Sequence, residues 1–284
     1  MALRRFAPAK LNLYLHVVGR RDDGYHLLDS LVAFADVGDE IIAAPAARLS
    51  LAVTGPHAPA LAGAPDDNLV WRAAERLAAA AGRPAAAALT LVKNLPVASG
   101  VGGGSSDAAA TLKALAELWH VDIAPADLMT LAASLGADVP VCLAGRAAWL
   151  GGVGERIEPV AGLPTATVLL VNPGVALPTA AVFAARRGPF SAPARFALPA
   201  GAVELARLLE QRCNDLTAPA IERVPAIGRV LDRLAAAEGA LIARMSGSGA
   251  TCFALFSAPE AAAATAARLA AEQPDWWVAA GRLF

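Results

Sequence analysis

Four glycines and two serines crowd into Gly100-Val101-Gly102-Gly103-Gly104-Ser105-Ser106-Asp107, and an alanine-rich run of helical character follows at once. No other feature limits the fold of this chain as much. Glycine takes positive φ angles without a Cβ penalty and lets backbone approach a ligand closely. A helix start adds unpaired N–H groups and the positive end of the helix dipole, so the segment reads as an anion cradle. Ser105 and Ser106 add hydroxyl donors in the first turn. Neither common phosphate loop is present: GxxxxGK[ST] is missing, and Ser105 stands where GxGxxG needs its third glycine. The competing reading is a flexible interdomain turn, which glycines opening directly onto a helix disfavour.

Such a cradle has to hold its anion with local groups. The chain carries 24 basic and 25 acidic residues, for a net charge of −1, so it has no electrostatic footprint for nucleic acid or an anionic membrane. The alanine-rich window 73–92 is broken by Glu75, Arg76, Arg83 and Pro84, which argues against a membrane span. Cys142, Cys213 and Cys252 are widely spaced and form no CxxC pair, as suits isolated thiols in a reducing cytosol. Lys10 and Asn12 interrupt any apolar run after Arg4-Arg5, so no secretory leader is read and a cytoplasmic location is expected. With 284 residues, the chain exceeds the usual single-domain size.

Hydrophobic periodicity orders the rest. Residues 9–18 alternate as a half-buried strand, with Leu11, Leu13, Leu15 and Val17 on one face and Lys10, Asn12, Tyr14 and His16 on the other. Arg20–Tyr25 reads as a turn, and strands are expected within 39–54. Asp67 or Asn68 caps a helix running to about Ala81, and a strand follows at 87–92. Helices are expected from about Ser105 to Trp119 and over 125–135, the second stopping at Gly136. Pro140 predicts an extended Asp138-Val139, because proline restricts the residue before it. A buried strand follows at 166–172, a Pro/Ala-rich linker at 188–202, and helices near 202–211 and 225–237. Strands at 239–244 and 251–256 flank the loop Ser246-Gly247-Ser248-Gly249, before a last helix and strand. Without a strict βαβ rhythm the class is α+β.

Several residues carry both a plain and a chemical reading. Asp138 is a turn or capping aspartate, or a group that orients a substrate hydroxyl. Lys10 is a snorkelling surface lysine, or a cation reaching a transferring phosphoryl group. The chain has only three lysines, Lys10, Lys93 and Lys113, and the first two lie beside the segments that look chemical. Ser246–Gly249 is a hairpin connection or a second concavity of backbone donors. Tyr25-His26 is aromatic packing, or a pair that stacks on a planar ligand.

Taken together, these segments resemble the galactokinase–homoserine kinase–mevalonate kinase–phosphomevalonate kinase (GHMP) superfamily. The loop pattern is matched by Pro96-Val97-Ala98-Ser99-Gly100 through Asp107. More specific are Pro8-Ala9-Lys10-Leu11-Asn12-Leu13, Gly24-Tyr25-His26, Asp67-Asn68-Leu69, Leu135 to Pro140, Pro178-Thr179 with Phe183, Asn214-Asp215-Leu216 and Ser246 to Gly249, in family order. The nearest likeness is to the branch whose acceptor is a cytidine-diphosphate-linked methylerythritol of the non-mevalonate isoprenoid route.

The resemblance implies a two-domain α+β fold with its active site in the cleft between an ATP-binding domain, 1–155, and a substrate-binding domain, 156–284. It implies an ATP-dependent small-molecule kinase, with Mg²⁺ accompanying ATP and its protein ligands unassigned. Asp138 and Lys10 become the catalytic pair. Asn12, Tyr25, His26, Thr179 and Phe183 become the substrate pocket, with Tyr25 and Phe183 sandwiching cytosine and His26 reading its edge. Pro96, Val97, Ala98, Ser99, Gly100, Val101, Gly102, Gly103, Gly104, Ser105 and Ser106 would hold the ATP phosphates, with Asn68 and Lys93 near adenine. The expected partner is this small molecule alone, the chain being a monomer or homodimer. Ala98-Ser99 departs from the family's usual glycine and stiffens the start of the loop. Two alternatives stay open: a homoserine- or mevalonate-type kinase, and a non-catalytic nucleotide-binding protein.

Overall fold

The structure, a computed structural model, describes residues Met1–Phe284, Pro65 excepted. Two compact units interleave along the chain. The first comprises Met1–Ala9, Gly38–Val97 and Gly102–Gly145; the second comprises Lys10–Val37, Ala98–Val101 and Arg146–Phe284. Strands β1 (Leu3–Arg20) and β2 (His26–Pro45), which pair with each other, each contribute residues to both units.

In the first unit, β2 runs antiparallel to β4 (Ala87–Val92), with Ile41 opposite Leu91, and β3 (Ser50–Thr54) lies parallel to β4. Four helices follow in chain order: α1 (Leu69–Ala80), α2 (Gly103–Leu118), α3 (Pro125–Leu135) and α4 (Val139–Ala144). Asn68 caps α1 by accepting the Val70 N–H at 2.9 Å, the capping the sequence predicts. Helix α1 buries Val70, Ala73 and Leu77, and α2, against which it packs, buries Ala108, Leu112 and Leu115. So many alanines on one face let the two helices approach closely.

The second unit holds β5 (Ala148–Gly152), β6 (Arg156–Pro159), β7 (Ala166–Asn172), α5 (Thr179–Ala185), α6 (Ala202–Glu210), α7 (Thr217–Arg223), α8 (Ala226–Ala235), β8 (Ala240–Met245), β9 (Cys252–Phe256), α9 (Pro259–Glu272) and β10 (Trp277–Leu283). Strand β7 is central, antiparallel to β9 and to β10, while β8 pairs with β9. Val17, Leu169, Val171, Leu216, Ile227, Leu234 and Phe256 belong to its core. The pairing is largely antiparallel with helices grouped apart, which is the α+β arrangement expected.

Two readings need correction, and a third gains detail. The predicted extended start at Asp138-Val139-Pro140 is helical: Asp138 sits at φ −86°, ψ −11°, and α4 begins at Val139. Proline in a first helical turn gives up no hydrogen bond, since that N–H has no partner within the helix, and this outweighs its effect on Val139. Strand β1 is not half-buried, because Lys10, Asn12, Tyr14 and His16 are as buried as the leucines between them. The loop or linker expected at 188–202 does lack strand and helix over Arg186–Gly201, and hydrogen bonds secure it. The Ser191 amide donates to the Val17 carbonyl (3.0 Å), its hydroxyl to Asp215, and the Ala194 amide to Asp29 (2.7 Å).

Candidate functional site

The glycine-rich segment crosses from the second unit, at Val101, into the first, at Gly102. In the first unit, Gly102 takes φ +63° and leads directly into α2, whose first turn presents Gly103, Gly104, Ser105 and Ser106. Ser106 is buried and donates its hydroxyl to the Pro8 carbonyl at 2.6 Å, which fixes this turn against β1. Ser105 is half-buried. The turn's amides and the positive end of the helix dipole are the groups an anion cradle would use.

In the second unit, the preceding half of the segment rests on the other glycine loop. Gly100 has φ +77°, and a Cβ built there would stand 2.6 Å from both the Ser246 and Gly249 carbonyl oxygens. The Ser246 hydroxyl donates to the Gly100 carbonyl at 3.0 Å, and the Thr251 amide to Ser99 at 3.0 Å. Ser246–Gly249 is thus a buttress under Ala98–Val101, not a bare hairpin. Ala98 itself adopts φ +52°, a conformation costing a residue with a Cβ about 1–2 kcal/mol. Its departure from glycine therefore strains the loop as well as stiffening it.

Sequence reasoning noted Asn214 only as part of a matching motif; the structure shows what it does. Its side-chain amide donates to the carbonyls of Met245 and Gly247, both at 2.8 Å, while its oxygen accepts the Leu216 amide. One buried side chain therefore ties the start of α7 to the loop that supports the glycine-rich segment. Asn214→Ala leaves buried carbonyls unpaired and is expected to cost about 2–3 kcal/mol, with a raised KM for ATP. Urea unfolding and steady-state kinetics on the purified protein check both effects.

Lys10 is 4 % exposed. Its ammonium donates to Asn12 Oδ1 at 3.0 Å, and its backbone amide donates to the Val101 carbonyl at 2.8 Å. The Asn12 amide group in turn donates to Ser30 (2.8 Å), so Asn12 orients Lys10 through its side chain. The snorkelling reading of Lys10 fails, since the charge is held inside. Tyr14 lies on the same face and donates to Asp29 at 2.7 Å; burial, then Asp29, pushes its phenol far above the ordinary range.

The aromatic residues occupy this same unit. His26 stacks on Phe183, ring centres 5.1 Å apart and planes 25° from parallel, while the Tyr25 side chain is exposed. Burial, helped by Arg20 and Arg186, lowers the His26 pKa and keeps the ring neutral near pH 7, so one nitrogen accepts and the other donates. Thr179, at the start of α5, shares a 2.8 Å hydrogen bond with Ser248.

Asp138 lies in the first unit at the N-terminal boundary of α4, half-buried, and its carboxylate makes no capping bond to that helix. The capping explanation for this residue falls away. Lys93, in the same unit, is 2 % exposed and donates to Asp39 (2.5 Å) and Asp107 (2.7 Å). Asn68 is occupied as the cap of α1. Among the described residues no group of three or more His, Cys, Asp or Glu is arranged to hold a metal. A hard cation bound mainly by nucleotide phosphates needs few protein oxygens, and the Ser105 hydroxyl fits that need better than that of Ser106, which Pro8 engages.

A glycine-rich segment that opens a helix, an α+β scaffold and a buried lysine are features that phosphate-handling enzymes use. Comparison with known proteins narrows the class. The GHMP kinases N terminal domain matches residues 68–146, and the GHMP kinases C terminal domain matches 199–275. The 4-diphosphocytidyl-2-C-methyl-D-erythritol kinase of Rhodospirillum rubrum is 54% identical over 98% of this chain and 91% of its own length. That of Cereibacter sphaeroides is 55% identical over 98% of both chains. A crystal structure of 4-(cytidine 5'-diphospho)-2C-methyl-D-erythritol kinase superposes with a TM-score of 0.81 at 37% identity, covering 99% of both chains. This chain belongs to the GHMP kinases, and within them to the family of its 4-diphosphocytidyl-2-C-methyl-D-erythritol kinase relatives.

Proposed function

We propose that the protein transfers the γ-phosphoryl group of ATP to the 2-hydroxyl of 4-diphosphocytidyl-2-C-methyl-D-erythritol, in the cytoplasmic non-mevalonate route to isoprenoid precursors. Full-length relatives of that name support the acceptor, and one observation carries it for this chain: the His26–Phe183 stack. An aromatic face beside a neutral imidazole suits a pyrimidine base and has no use for an acceptor without one. Homoserine- and mevalonate-type kinases lack such a base in their acceptors. Solved structures of those enzymes share the fold at 19% identity or less.

The chemistry asks for position and charge. Asp138 accepts the proton of the acceptor hydroxyl as its oxygen bonds to the γ-phosphorus. The bond from that phosphorus to the β–γ bridging oxygen breaks, and ADP departs. Lys10, aimed by Asn12, stabilises charge on the phosphoryl group in flight, and the amides of Gly100–Ser106 hold the remaining phosphates. Mg²⁺ bound with ATP would neutralise further phosphate charge, and the Ser105 hydroxyl is the group that would help hold it. The stacked His26 and Phe183 form the cytosine-reading pair, the exposed Tyr25 covers the base from outside, and Thr179 contacts the acceptor.

Phe183→Ala is expected to raise KM for the acceptor roughly tenfold or more, since stacking a base on an aromatic ring is worth about 1–3 kcal/mol. KM for ATP stays as it was. Steady-state assays with the cytidine-diphosphate acceptor, beside homoserine and mevalonate, measure this. Comparable turnover of a cytidine-free acceptor would overturn the assignment.

A further inference from the structure

The arginine that precedes the second glycine loop has no part in the steps above. Arg244 stands at the penultimate position of β8 and is only 9 % exposed. One of its guanidinium nitrogens, Nη1, donates to the Leu13 carbonyl of β1 at 2.9 Å. Another, Nη2, donates to the carbonyls of Leu209 (2.9 Å) and Arg212 (2.7 Å), where α6 ends. The last carbonyls of a helix have no partner within it and carry the negative end of its dipole, so they suit a cation. Burial, with Arg212 adding to it, lowers the Arg244 pKa to about 10, and the guanidinium keeps its charge at pH 7.

Taking an arginine charge out of water is costly, and an apolar side chain of similar volume would fill this position without that cost. What the guanidinium alone offers is a planar fork that fixes two elements at once. One of them is the strand that carries Lys10. Leu13 directly follows Asn12, whose side-chain oxygen accepts from the Lys10 ammonium at 3.0 Å. The Asn12 amide in turn donates to the Ser246 hydroxyl at 3.1 Å, two residues beyond Arg244. The dipeptide Asn12-Leu13 is therefore gripped at its first amide and at its last carbonyl by the end of β8 and the loop it opens. A slip of β1 would break both bonds and displace the Asn12–Lys10 pair.

We propose that Arg244 is a positioning residue for phosphoryl transfer: it holds β1 at Leu13 and so aims Lys10, through Asn12, without itself touching a substrate. The inference rests on the reading of Lys10 as the cation at the phosphoryl group in flight. In a reaction that depends on placement, a displacement of about 1 Å costs on the order of a hundredfold in rate. An arginine that merely stiffened the fold would behave differently. Its loss would lower stability or the active fraction by the same factor whatever side chain followed Leu11. An arginine that acts through Asn12 has nothing left to aim once the Asn12 oxygen is gone, so the two effects do not multiply.

The test is a cycle of Arg244→Lys, Asn12→Ala and the double variant, with kcat and both KM values measured well below each protein's thermal midpoint. Arg244→Lys keeps the charge but carries a single nitrogen, which cannot hold Leu13 and the end of α6 together. Its kcat is expected to fall about ten- to a hundredfold, with KM for ATP and for the acceptor close to wild type. Asn12→Ala is expected to lose at least as much, and the double variant to be no slower than Asn12→Ala alone. Losses that multiply in the double variant would overturn the proposal. So would a normal kcat in Arg244→Lys, or a loss confined to KM for ATP, which would place its role in the loop that bonds Gly100. Arg244→Met leaves three carbonyls without this donor and is liable not to fold. Arg244→Gln, a neutral donor, is therefore the second variant, expected to show the same loss and the same lack of additivity. A normal kcat in Asn12→Ala by itself would remove the Lys10–Asn12 pair from the reaction, and the proposal with it, an outcome distinct from multiplying losses.

Discussion

Replacing Asp138 with Asn is expected to lower kcat about 10²- to 10⁴-fold, the range associated with loss of a positioned general base. The substitution is nearly isosteric. The Asp138 side chain makes no capping bond to α4. The amide keeps the shape of the carboxylate and loses its ability to take a proton. ATP affinity should match wild type, placing the loss in the transition state rather than in ground-state binding. Single-turnover kinetics with calorimetric ATP titration separate the two. Near-normal turnover in this variant would remove Asp138 from the reaction.

Gly100→Ala is the second large effect, and its origin is steric. At φ +77° an added methyl group would stand 2.6 Å from two carbonyl oxygens, those of Ser246 and Gly249, and 2.8 Å from the Gly249 amide nitrogen. None of the three is the end of a flexible side chain; all belong to the supporting loop, which Asn214 holds in place. Backbone strain and overpacking together cost roughly 2–4 kcal/mol. The thermal midpoint should fall on the order of 5–10 °C, and KM for ATP should rise as the loop is displaced. Ala98→Gly makes a useful companion, because Ala98 already sits at φ +52° and glycine would relieve it. A Gly100→Ala protein with unchanged melting and ATP kinetics would show that the two loops are not in contact.

Much of the fold could be read along the chain because its signals are local. Strands 87–92 and 166–172 and helix 125–135 have the bounds their apolar patterns predict, and Asn68 marks a helix start through its own side chain. Short helices escaped. Helices α5 and α7 span seven residues each, less than two full turns of period, so the motifs at Thr179 and Asn214 masked them. Val139-Pro140 was misread because one local rule, the restriction before proline, was weighed without the helix start that overrides it.

The site divides in the same way. A glycine cradle opening a helix, a candidate base at Asp138 and an aromatic pair near residue 25 are contiguous patterns, and family likeness gave each a role to test. What each polar side chain is joined to was settled only by the tertiary structure. Lys93 finds Asp39 from 54 residues away, and Asn214 finds Gly247 from 33 away. The linker after residue 188 meets Asp29 across 165 residues. The reason is electrostatic: a charge or amide taken out of water must be paired, and its partner is whichever group folding brings within 3 Å or so. Sequence alone therefore marked where a phosphate site is to be expected, and the packed structure decided that two of the three lysines, Lys10 and Lys93, are held inside and which groups pair with them.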